Sequence, residues 1–340
     1  MRSIKYYVGV DIAAETFTAS VLGTPEDPLL TTEPIANSPD AFPQFVTWLK
    51  QHHVRPHNAL VCLENTGVYG EVLCYFLQAQ GFSVAVEMPH KVKRAFHELR
   101  KNDRVDARQI AEYACRYRDQ LTLWHPQEEV LEQIRTLSAT REHFTRQLIA
   151  NRNALQALQR KAIPTPLATE AYQQMMQELK NRIKAIDQAI QDLINQHPTF
   201  KPLADLADSV PGVGQSLSGC LVVLTEGFSN NPDYRELASR LGLAPHEHTS
   251  GTSVRKKPRS KRHGHARTRK LLHLAARSVA QHREEFRLYY LRKIAEGKAP
   301  GIIYNNIANK LLKITLAVVR SGTPYRKHYR SVNPLYLKTA

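Results

Sequence analysis

The first third of the chain alternates short apolar runs with amphipathic segments. Apolar runs over 6–12, 16–22 and 28–35 predict three strands of an antiparallel meander. After them, strand patterns over 59–64 and 82–88 are interleaved with helical patterns over 40–53, 68–79, 91–100 and 103–117. This order predicts a mixed sheet flanked by helices, and therefore an α/β domain over residues 1–122.

The middle third has a different periodicity, with mainly apolar positions four and three residues apart. These positions are Val130, Ile134, Leu137, Arg141, Phe144, Leu148, Asn151, Leu155 and Leu158, then Tyr172, Met176, Leu179, Ile183, Ile186, Ile190 and Leu193. The spacing is that of a heptad seam, and Pro164 and Pro166 interrupt it. Residues 123–200 therefore predict an antiparallel helical hairpin or coiled coil, which would oligomerise the protein or span a distance between domains. Arg141 and Asn151 interrupt the seam with polar side chains that can fix its register or its partner.

The last third, residues 201–340, is predicted to be helical apart from one basic loop. The run Val210-Pro211-Gly212-Val213-Gly214 resembles a helix-hairpin-helix element, in which backbone amides at Gly212 and Gly214 can bind a phosphate. Residues 242–270 contain glycine, proline and many basic residues, and this composition predicts a loop. The tripeptide from His246 to His248 is interpreted as part of that loop and not as a metal site, because it lacks a third ligand.

Charge narrows the class of partner. The chain has 47 Lys and Arg against 31 Asp and Glu, a net charge of +16, which favours a polyanion such as nucleic acid. The basic residues predicted to bind it are Arg255, Lys256, Lys257, Arg259, Lys261, Arg262, Arg267 and Arg269. No apolar run is long enough to span a membrane, and the four cysteines show no paired spacing. A cytoplasmic protein with buried free thiols is expected.

Four acids carry the candidate chemistry. Asp11 and Glu64 end predicted strands, and Asp103 and Asp106 lie one turn apart at the start of a predicted helix. Four converging carboxylates suit Mg²⁺, and two such ions about 4 Å apart can activate a nucleophile and stabilise a leaving oxygen of a phosphodiester. The layout resembles that of RNase H-like, RuvC-type nucleases. Each acid taken alone is more typical of a turn, a cap or a solvated helix start, and only the four together indicate a site.

A serine in the basic loop is the second candidate. Ser250 precedes Gly251, so a phosphodiester could approach it closely. A serine hydroxyl is a weak nucleophile until a base, a metal or a neighbouring charge activates it. On sequence chemistry alone, a turn serine is the better explanation of Ser250. Ser253 is the alternative nucleophile if the register of the loop differs.

Taken together, the chain resembles the DEDD transposases of the insertion-sequence family numbered one hundred and ten, also called bridge-RNA-guided recombinases. The resemblance covers nearly all of it and rests on the four acids, the heptads, the proline–glycine hairpin and a C-terminal block. That block comprises 242–245, Ser250-Gly251, 261–264 and Arg269, and Gly264 is followed by histidine where family members often have asparagine.

The resemblance implies a DNA recombinase of the prokaryotic, nucleoid-associated cytoplasm. Asp11, Glu64, Asp103 and Asp106 would hold Mg²⁺, two ions per site, and Ser250 would form a phosphoserine link to DNA. The acids and the serine would come from different domains and act across subunits, in a dimer that becomes a tetramer on donor and target DNA. A structured noncoding guide RNA would supply sequence specificity by base pairing.

Two other functions remain open from the residues. A RuvC-type endonuclease would hydrolyse DNA with water and form no covalent link. A non-catalytic nucleic-acid-binding scaffold would use the same acids only to stabilise the fold.

Overall fold

A computed structural model describes residues 4–23, 29–65, 67–96, 102–229, 233–250, 254–260 and 264–327, and for 246–250 and 254–259 it describes the backbone alone. The chain forms two compact units, Met1–Gln127 and Glu128–Ala340, each built around apolar cores of its own. None of the described helices combines the length and the apolar character needed to cross a bilayer.

Unit 1 is built on a mixed sheet. Its strands are β1 (Tyr6–Ile12), β2 (Thr16–Leu22), β3 (Leu30–Thr31), β4 (Ile35–Ala36), β5 (Ala59–Glu64) and β6 (Ser83–Glu87). Their order is β3-β2-β1-β5-β6, with β4 also paired to β2. β1 and β2 are antiparallel, whereas β1, β5 and β6 are parallel. The predicted mixed sheet flanked by helices is confirmed.

The third predicted strand, over 28–35, was wrong as one element. The structure has two short pairings with β2 instead, at Leu30–Thr31 and at Ile35–Ala36. Pro34 lies between them and has no N–H to donate to a continuous ladder, so a single long strand is disfavoured there. The helix predicted over 91–100 is α3, which begins at Pro89 and ends at Arg94, and residues 97–101 lie outside the described part of the chain.

Helices cover both faces of this sheet. They are α1 (Phe42–Gln51), α2 (Glu71–Ala79), α3 (Pro89–Arg94) and α4 (Asp103–Arg116), and a 3₁₀ turn, Gly67–Gly70, precedes α2. Strand residues alternate between two cores, as the period of two requires. Val8 and Val10 share one core with α1 and α2, while Tyr7 lies in the other core with Ile110 of α4.

Unit 2 begins with two long helices, α5 (Glu129–Leu158) and α6 (Pro166–Gln196). They run antiparallel, because contacts move in opposite directions along them: Ile134 shares a core with Ile194, and Arg141 forms an ion pair with Asp187. The predicted antiparallel hairpin is therefore present in the fold. Whether it assembles subunits stays a prediction.

The remainder of unit 2 is mainly helical. Its elements are α7 (Phe200–Asp208), α8 (Gln215–Leu224), α9 (Tyr234–Arg240), β7 (Pro245–Ser250), β8 (Val254–Ser260), α10 (Ala266–His282), α11 (Glu284–Ala295) and α12 (Pro300–Ser321). Leu221, Leu237, Leu272 and Leu311, from four different helices, lie fully buried in one core. The basic segment over 242–270, predicted as a loop that included the His246–His248 tripeptide, is instead an antiparallel hairpin of β7 and β8 followed by α10.

The two units differ from the three predicted domains, 1–122, 123–200 and 201–340. Leu123 pairs with Ala85, and the Trp124 amide donates to the Val84 carbonyl at 2.7 Å, so this segment continues unit 1. At the other predicted boundary, the base of the α5–α6 hairpin shares a core with Phe200 of α7 and Val222 of α8. A shared apolar core explains why the contacts do not separate at residue 200.

Candidate active site

Three acids lie side by side at the carboxyl ends of the parallel strands. Val10 pairs with Leu63, which puts the following residues Asp11 and Glu64 level, and Glu64 itself pairs with Glu87. Alternation assigns all three to the same face of the sheet, the face of Tyr7, Cys62 and Ala85 that packs against α4. We call Asp11, Glu64 and Glu87 the acid row.

Helix α4 crosses this face in direct contact with Gly9. A Cβ at Gly9 would lie 2.2 Å from the Ala107 carbonyl oxygen and 2.2 Å from the Ala111 nitrogen, so only glycine permits this packing. Tyr7, nearer the start of β1, shares a core with Ile110 and Ala114, nearer the end of α4. The helix therefore runs opposite to β1.

The direction of α4 relative to β1 determines where Asp103 and Asp106 lie. One step of two residues along β1, from Gly9 to Asp11, corresponds to about one helical turn towards the start of α4. That turn begins with Asp103 and contains Asp106, and the Asn102 side chain caps it by accepting from the Val105 amide at 2.8 Å. Hence the backbone brings Asp11, Glu64, Asp103 and Asp106 to one end of one face of the sheet.

The side-chain positions are less converged than the backbone. Among the described residues, no three His, Cys, Asp or Glu side chains stand close enough to ligate one metal ion. Asp11, Glu64 and Asp106 are half-buried, and Asp103 is exposed at the helix start. Oxygen-only donors of this kind fit a hard divalent cation such as Mg²⁺ by chemistry, and rotation about their side-chain bonds would be needed to gather them.

Glu87 is a member of the acid row that was not predicted from the sequence. It is 8% exposed, and its Oε1 accepts from the Met88 amide at 2.8 Å and from Lys91 Nζ at 2.9 Å. Its Oε2 accepts from the Tyr113 hydroxyl of α4 at 3.4 Å. Glu87 thus joins β6 to both α3 and α4. The available signal was its position at the end of a predicted strand, as for Glu64.

Two titratable side chains beside the acid row are held in their neutral forms. Burial and the nearby Glu87 carboxylate raise the pKa of the Cys62 thiol to about 12. Burial, followed by the charge and hydrogen bond of Glu87, also raises the pKa of Tyr113. Both groups therefore stay protonated at neutral pH, and neither adds negative charge beneath the acids.

The serine candidate lies in unit 2. Ser250 ends β7 and pairs with Val254 at the start of β8, so it lies at the tip of the hairpin. Arg255, Lys256 and Arg259 pair with Thr249, His248 and His246, and Lys257 lies in the same strand. Gly251, Ser253, Lys261 and Arg262 lie outside the described residues.

Two of the residues predicted to bind nucleic acid lie in α10, and both form hydrogen bonds with backbone carbonyls of this chain. Arg267 donates to the Ser138 carbonyl at 3.2 Å, and Arg269 donates to the Leu241 carbonyl at 2.9 Å. Both are half-buried, so each stabilises the packing of α10. Their contact with nucleic acid stays a prediction.

The two glycines of the predicted helix-hairpin-helix element differ in backbone conformation and in their surroundings. Gly212 has a φ of +82°, and a Cβ there would lie 2.6 Å from Val279 of α10. Gly214 immediately precedes α8 and is exposed, and a Cβ at this position would have no neighbouring atom within 4 Å among the described residues. The turn therefore requires glycine at 212 for packing, whereas 214 leaves the first amides of α8 accessible.

Charge is divided unequally between the units. Unit 1 has 13 Lys and Arg against 14 Asp and Glu, a net charge of −1, and unit 2 has 34 against 17, a net charge of +17. These two values account for the total of +16. The whole basic excess therefore belongs to unit 2, with Ser250, and none of it to the unit that contains the acid row.

Comparison with known proteins identifies the family. The IS110 DEDD transposase model matches residues 8–164, and the model described as "Transposase IS116/IS110/IS902 family" matches residues 204–291. The "Pilin gene-inverting protein" of Moraxella lacunata is 29% identical over 331 residues, covering 95% of this chain and 98% of that protein. The "Insertion element IS110 uncharacterized 43.6 kDa protein" of Streptomyces coelicolor is 30% identical over 142 residues, covering 42% and 34%.

Among solved structures, "T. thermophilus RuvC in complex with Holliday junction substrate" matches with 16% sequence identity and a TM-score of 0.28, covering 35% of this chain and 99% of that one. The two family models cover parts of both units: one matches the four acids and α5, and the other matches the segment that contains Ser250. The chain belongs to the IS110 family of insertion-sequence transposases.

Proposed function

We propose that this transposase cuts and rejoins DNA through a covalent phosphoserine intermediate, with Ser250 as nucleophile and Asp11, Glu64, Asp103 and Asp106 as the Mg²⁺-binding acids. The observation that carries the proposal is the placement of these four acids at one end of one sheet face, by strand register and by the direction of α4. RNase H-like architecture of unit 1 is part of the same proposal, supported by its mixed sheet.

In the proposed reaction, the Ser250 hydroxyl oxygen attacks the scissile phosphorus. A phosphorus–oxygen bond to serine forms, the bond to the leaving strand breaks, and the serine proton ends on the released hydroxyl. Attack by the hydroxyl of a second strand on the phosphoserine reverses these steps and joins the new strands. When bound, Mg²⁺ would lower the cost of negative charge on the phosphate oxygens.

The residues of this chain supply position and charge. Asn102 holds the first turn of α4, and the Gly9 contact holds that helix close to β1, so Asp103 and Asp106 stay near Asp11. The basic strand β8, whose first residue Val254 pairs with Ser250, would hold the phosphate backbone beside that serine. Gly214 and the first amides of α8 would bind a further phosphate.

We also propose two partners besides DNA, a guide RNA and further copies of this chain. The +17 charge of unit 2 supports a second polyanion, in our proposal a structured guide RNA whose pairing selects the donor and target sequences. The α5–α6 hairpin leaves Ile149, Ile163, Leu167 and Met175 exposed, which supports its use in a homo-oligomer, a dimer that becomes a tetramer on DNA.

The decisive experiment is strand transfer between supercoiled donor and target plasmids, with Mg²⁺ and the RNA encoded beside the gene. Wild type is compared with Ser250→Ala, Ser253→Ala and Asp106→Ala, and with Ser260→Ala as a matched serine control at the end of β8. We expect a protein–DNA adduct on denaturing gels from wild type and Ser260→Ala, and none from Ser250→Ala or Asp106→Ala.

The other outcomes identify the alternatives. DNA cleavage that persists in Ser250→Ala, with no adduct in any sample, would show a metal-dependent endonuclease that uses water. An adduct lost in Ser253→Ala and kept in Ser250→Ala would show that Ser253, and not Ser250, is the nucleophile. Binding of DNA without any strand cleavage, in wild type and variants alike, would leave a nucleic-acid-binding scaffold.

A further inference from the structure

The helical segment after Glu64 is apolar on two opposite sides. Towards the sheet, α2 buries Leu73, Cys74 and Leu77. On the other side, Val68, Tyr69, Val72 and Tyr75 are exposed, Val68 by 72%, Val72 by 54% and Tyr69 by 48%. Of these side chains, Tyr75 packs edge-on against Trp124, with ring centroids 5.0 Å apart. Adjoining exposed apolar side chains such as Val68, Tyr69 and Val72 are typical of an interaction surface.

The 3₁₀ turn of this surface lies at the same edge of the sheet as the acid row, on the α1–α2 side of the sheet. The 3₁₀ turn sits over the ends of β1 and β5, because a Cβ at Gly70 would lie 3.6 Å from Leu63 and 3.7 Å from Ile12. The Asn37 side-chain amide donates at 3.0 Å both to the Tyr69 carbonyl and to the Ala13 carbonyl. The Tyr69 backbone is therefore fixed near the end of β1, where Ala13 follows Asp11 by two residues.

Met88 extends the surface across the end of β6. It is 47% exposed and directly follows Glu87, and the Asn65 amide approaches its sulfur at 3.9 Å. We call Val68, Tyr69, Val72 and Met88 the rim patch. Its members border the carboxyl ends of β5 and β6, where two of the three row acids lie.

Charge indicates what kind of group the rim patch can bind. Unit 1 has a net charge of −1, and Glu71 stands in the first turn of α2. Unit 1 as a whole therefore has no excess of Lys and Arg to attract a DNA strand, although α3 carries Lys91, Lys93 and Arg94. Contacts to the uncharged faces of bases avoid that difficulty, because a base offers an apolar face to an aromatic ring whatever its sequence.

We infer that the rim patch is a binding subsite for an unpaired nucleobase next to the scissile phosphate, with the Tyr69 ring as its stacking surface. Val68, Val72 and Met88 would enclose the base edge. The inference rests on the proposed function, which puts the scissile phosphate at the acid row. A base displaced from its pair at the cut site would be held there and kept from re-pairing.

The test uses full-length protein carrying Ser250→Ala, so that the DNA remains uncut. The probe is an oligonucleotide duplex of the element's own junction, with a short unpaired bubble and 2-aminopurine at each bubble position in turn. Stacking quenches 2-aminopurine fluorescence. We expect quenching at one position, and compare Tyr69→Phe, Tyr69→Leu and Tyr69→Ala in the same background.

Phenylalanine keeps the ring, whereas leucine keeps apolar bulk without it. We expect Tyr69→Phe to retain the quenching, and Tyr69→Leu and Tyr69→Ala to lose it and to weaken Kd by roughly fivefold to a hundredfold, the range for one stacked base. Circular dichroism of each variant shows whether it is folded. The exposed position of Tyr69 predicts little effect on stability.

Three results would overturn the inference. Equal quenching in all variants would show that the base lies elsewhere. Retention by leucine as well as phenylalanine would indicate an apolar docking surface for protein. No quenching at any position, in a protein whose wild type transfers strands, would also exclude the subsite. If wild type forms no adduct but the Tyr69-dependent quenching persists, the phosphoserine proposal fails and the base subsite stands.

Discussion

Gly9 shows how one missing side chain determines the position of the candidate site. A Cβ at this residue would overlap backbone atoms of Ala107 and Ala111, and backbone cannot move aside as a flexible side chain can. Any larger residue must push α4 away from β1. The separation of Asp103 and Asp106 from Asp11 would increase by the same movement.

We therefore predict that Gly9→Ala lowers the free energy of unfolding by about 1–3 kcal/mol, the usual cost of overpacking, and lowers strand transfer more than stability explains. Thermal unfolding and strand transfer below the melting temperature measure the two effects. Gly70→Ala is the matched control, because its Cβ would meet Leu63 and Ile12 at ordinary contact distances. Equal melting temperatures for the two variants would contradict the prediction.

At the scale of elements, Arg141 interrupts the apolar seam of α5 but has a specific partner. Its Nη2 donates to Asp187 Oδ2 of α6 at 2.9 Å, and its side chain is only 21% exposed. Such a partly buried pair fixes how the two helices align, while adding less stability than its geometry suggests. The predicted role of Arg141 in register is consistent with this pairing.

Paired substitutions test how much the ion pair between Arg141 and Asp187 stabilises the hairpin. We predict that Arg141→Leu alone lowers the stability of the hairpin by about 1–3 kcal/mol, since Asp187 loses its partner. Arg141→Leu combined with Asp187→Leu should recover most of that loss, measured by urea unfolding in a double-mutant cycle. Swapping the charges, Arg141→Asp with Asp187→Arg, is the control that keeps the pair. A double leucine variant no more stable than the single one would contradict the prediction.

The elements that could be predicted from sequence are those with long or regular patterns. Five consecutive apolar residues over 59–63 predict β5, and the heptads predict α5 and α6. The hairpin of β7 and β8 could not be recognised, because its residues from Pro245 to Ser260 are mostly polar or charged and show no apolar alternation. Its pairing comes from the backbone, which composition does not reveal.

The candidate site was predictable only in part, for a related reason. Asp11 and Glu64 end apolar runs, so their positions follow from local pattern, and the spacing of Asp103 and Asp106 follows from one helical turn. Glu87 has the same local pattern, but its place in the acid row depends on its pairing with Glu64 and on its hydrogen bond from Tyr113 of α4. Such contacts join residues far apart in sequence, so no window of sequence contains them.

For the whole molecule, the division of charge is the main organising fact. Unit 2 contains the basic excess and unit 1 the four candidate acids, so in the proposed function the affinity for nucleic acid and the metal-dependent chemistry belong to different units. Affinity that depends on phosphate contacts decreases with salt, by about 0.9 in the logarithmic slope for each contact on duplex DNA. The number of contacts made by any basic segment can therefore be counted by measuring that slope.

We predict that replacing Arg255, Lys256, Lys257 and Arg259 of β8 by glutamine makes the slope of log K against log salt shallower by about three to four on duplex DNA. Fluorescence anisotropy over a series of salt concentrations measures it. The control removes four exposed charges from the α5–α6 hairpin, by Arg146→Gln, Arg152→Gln, Lys180→Gln and Lys184→Gln. We expect that variant to change the slope by less than about one. Equal changes in both variants would mean that the charge of unit 2 acts diffusely, and that β8 has no specific phosphate contacts beside Ser250.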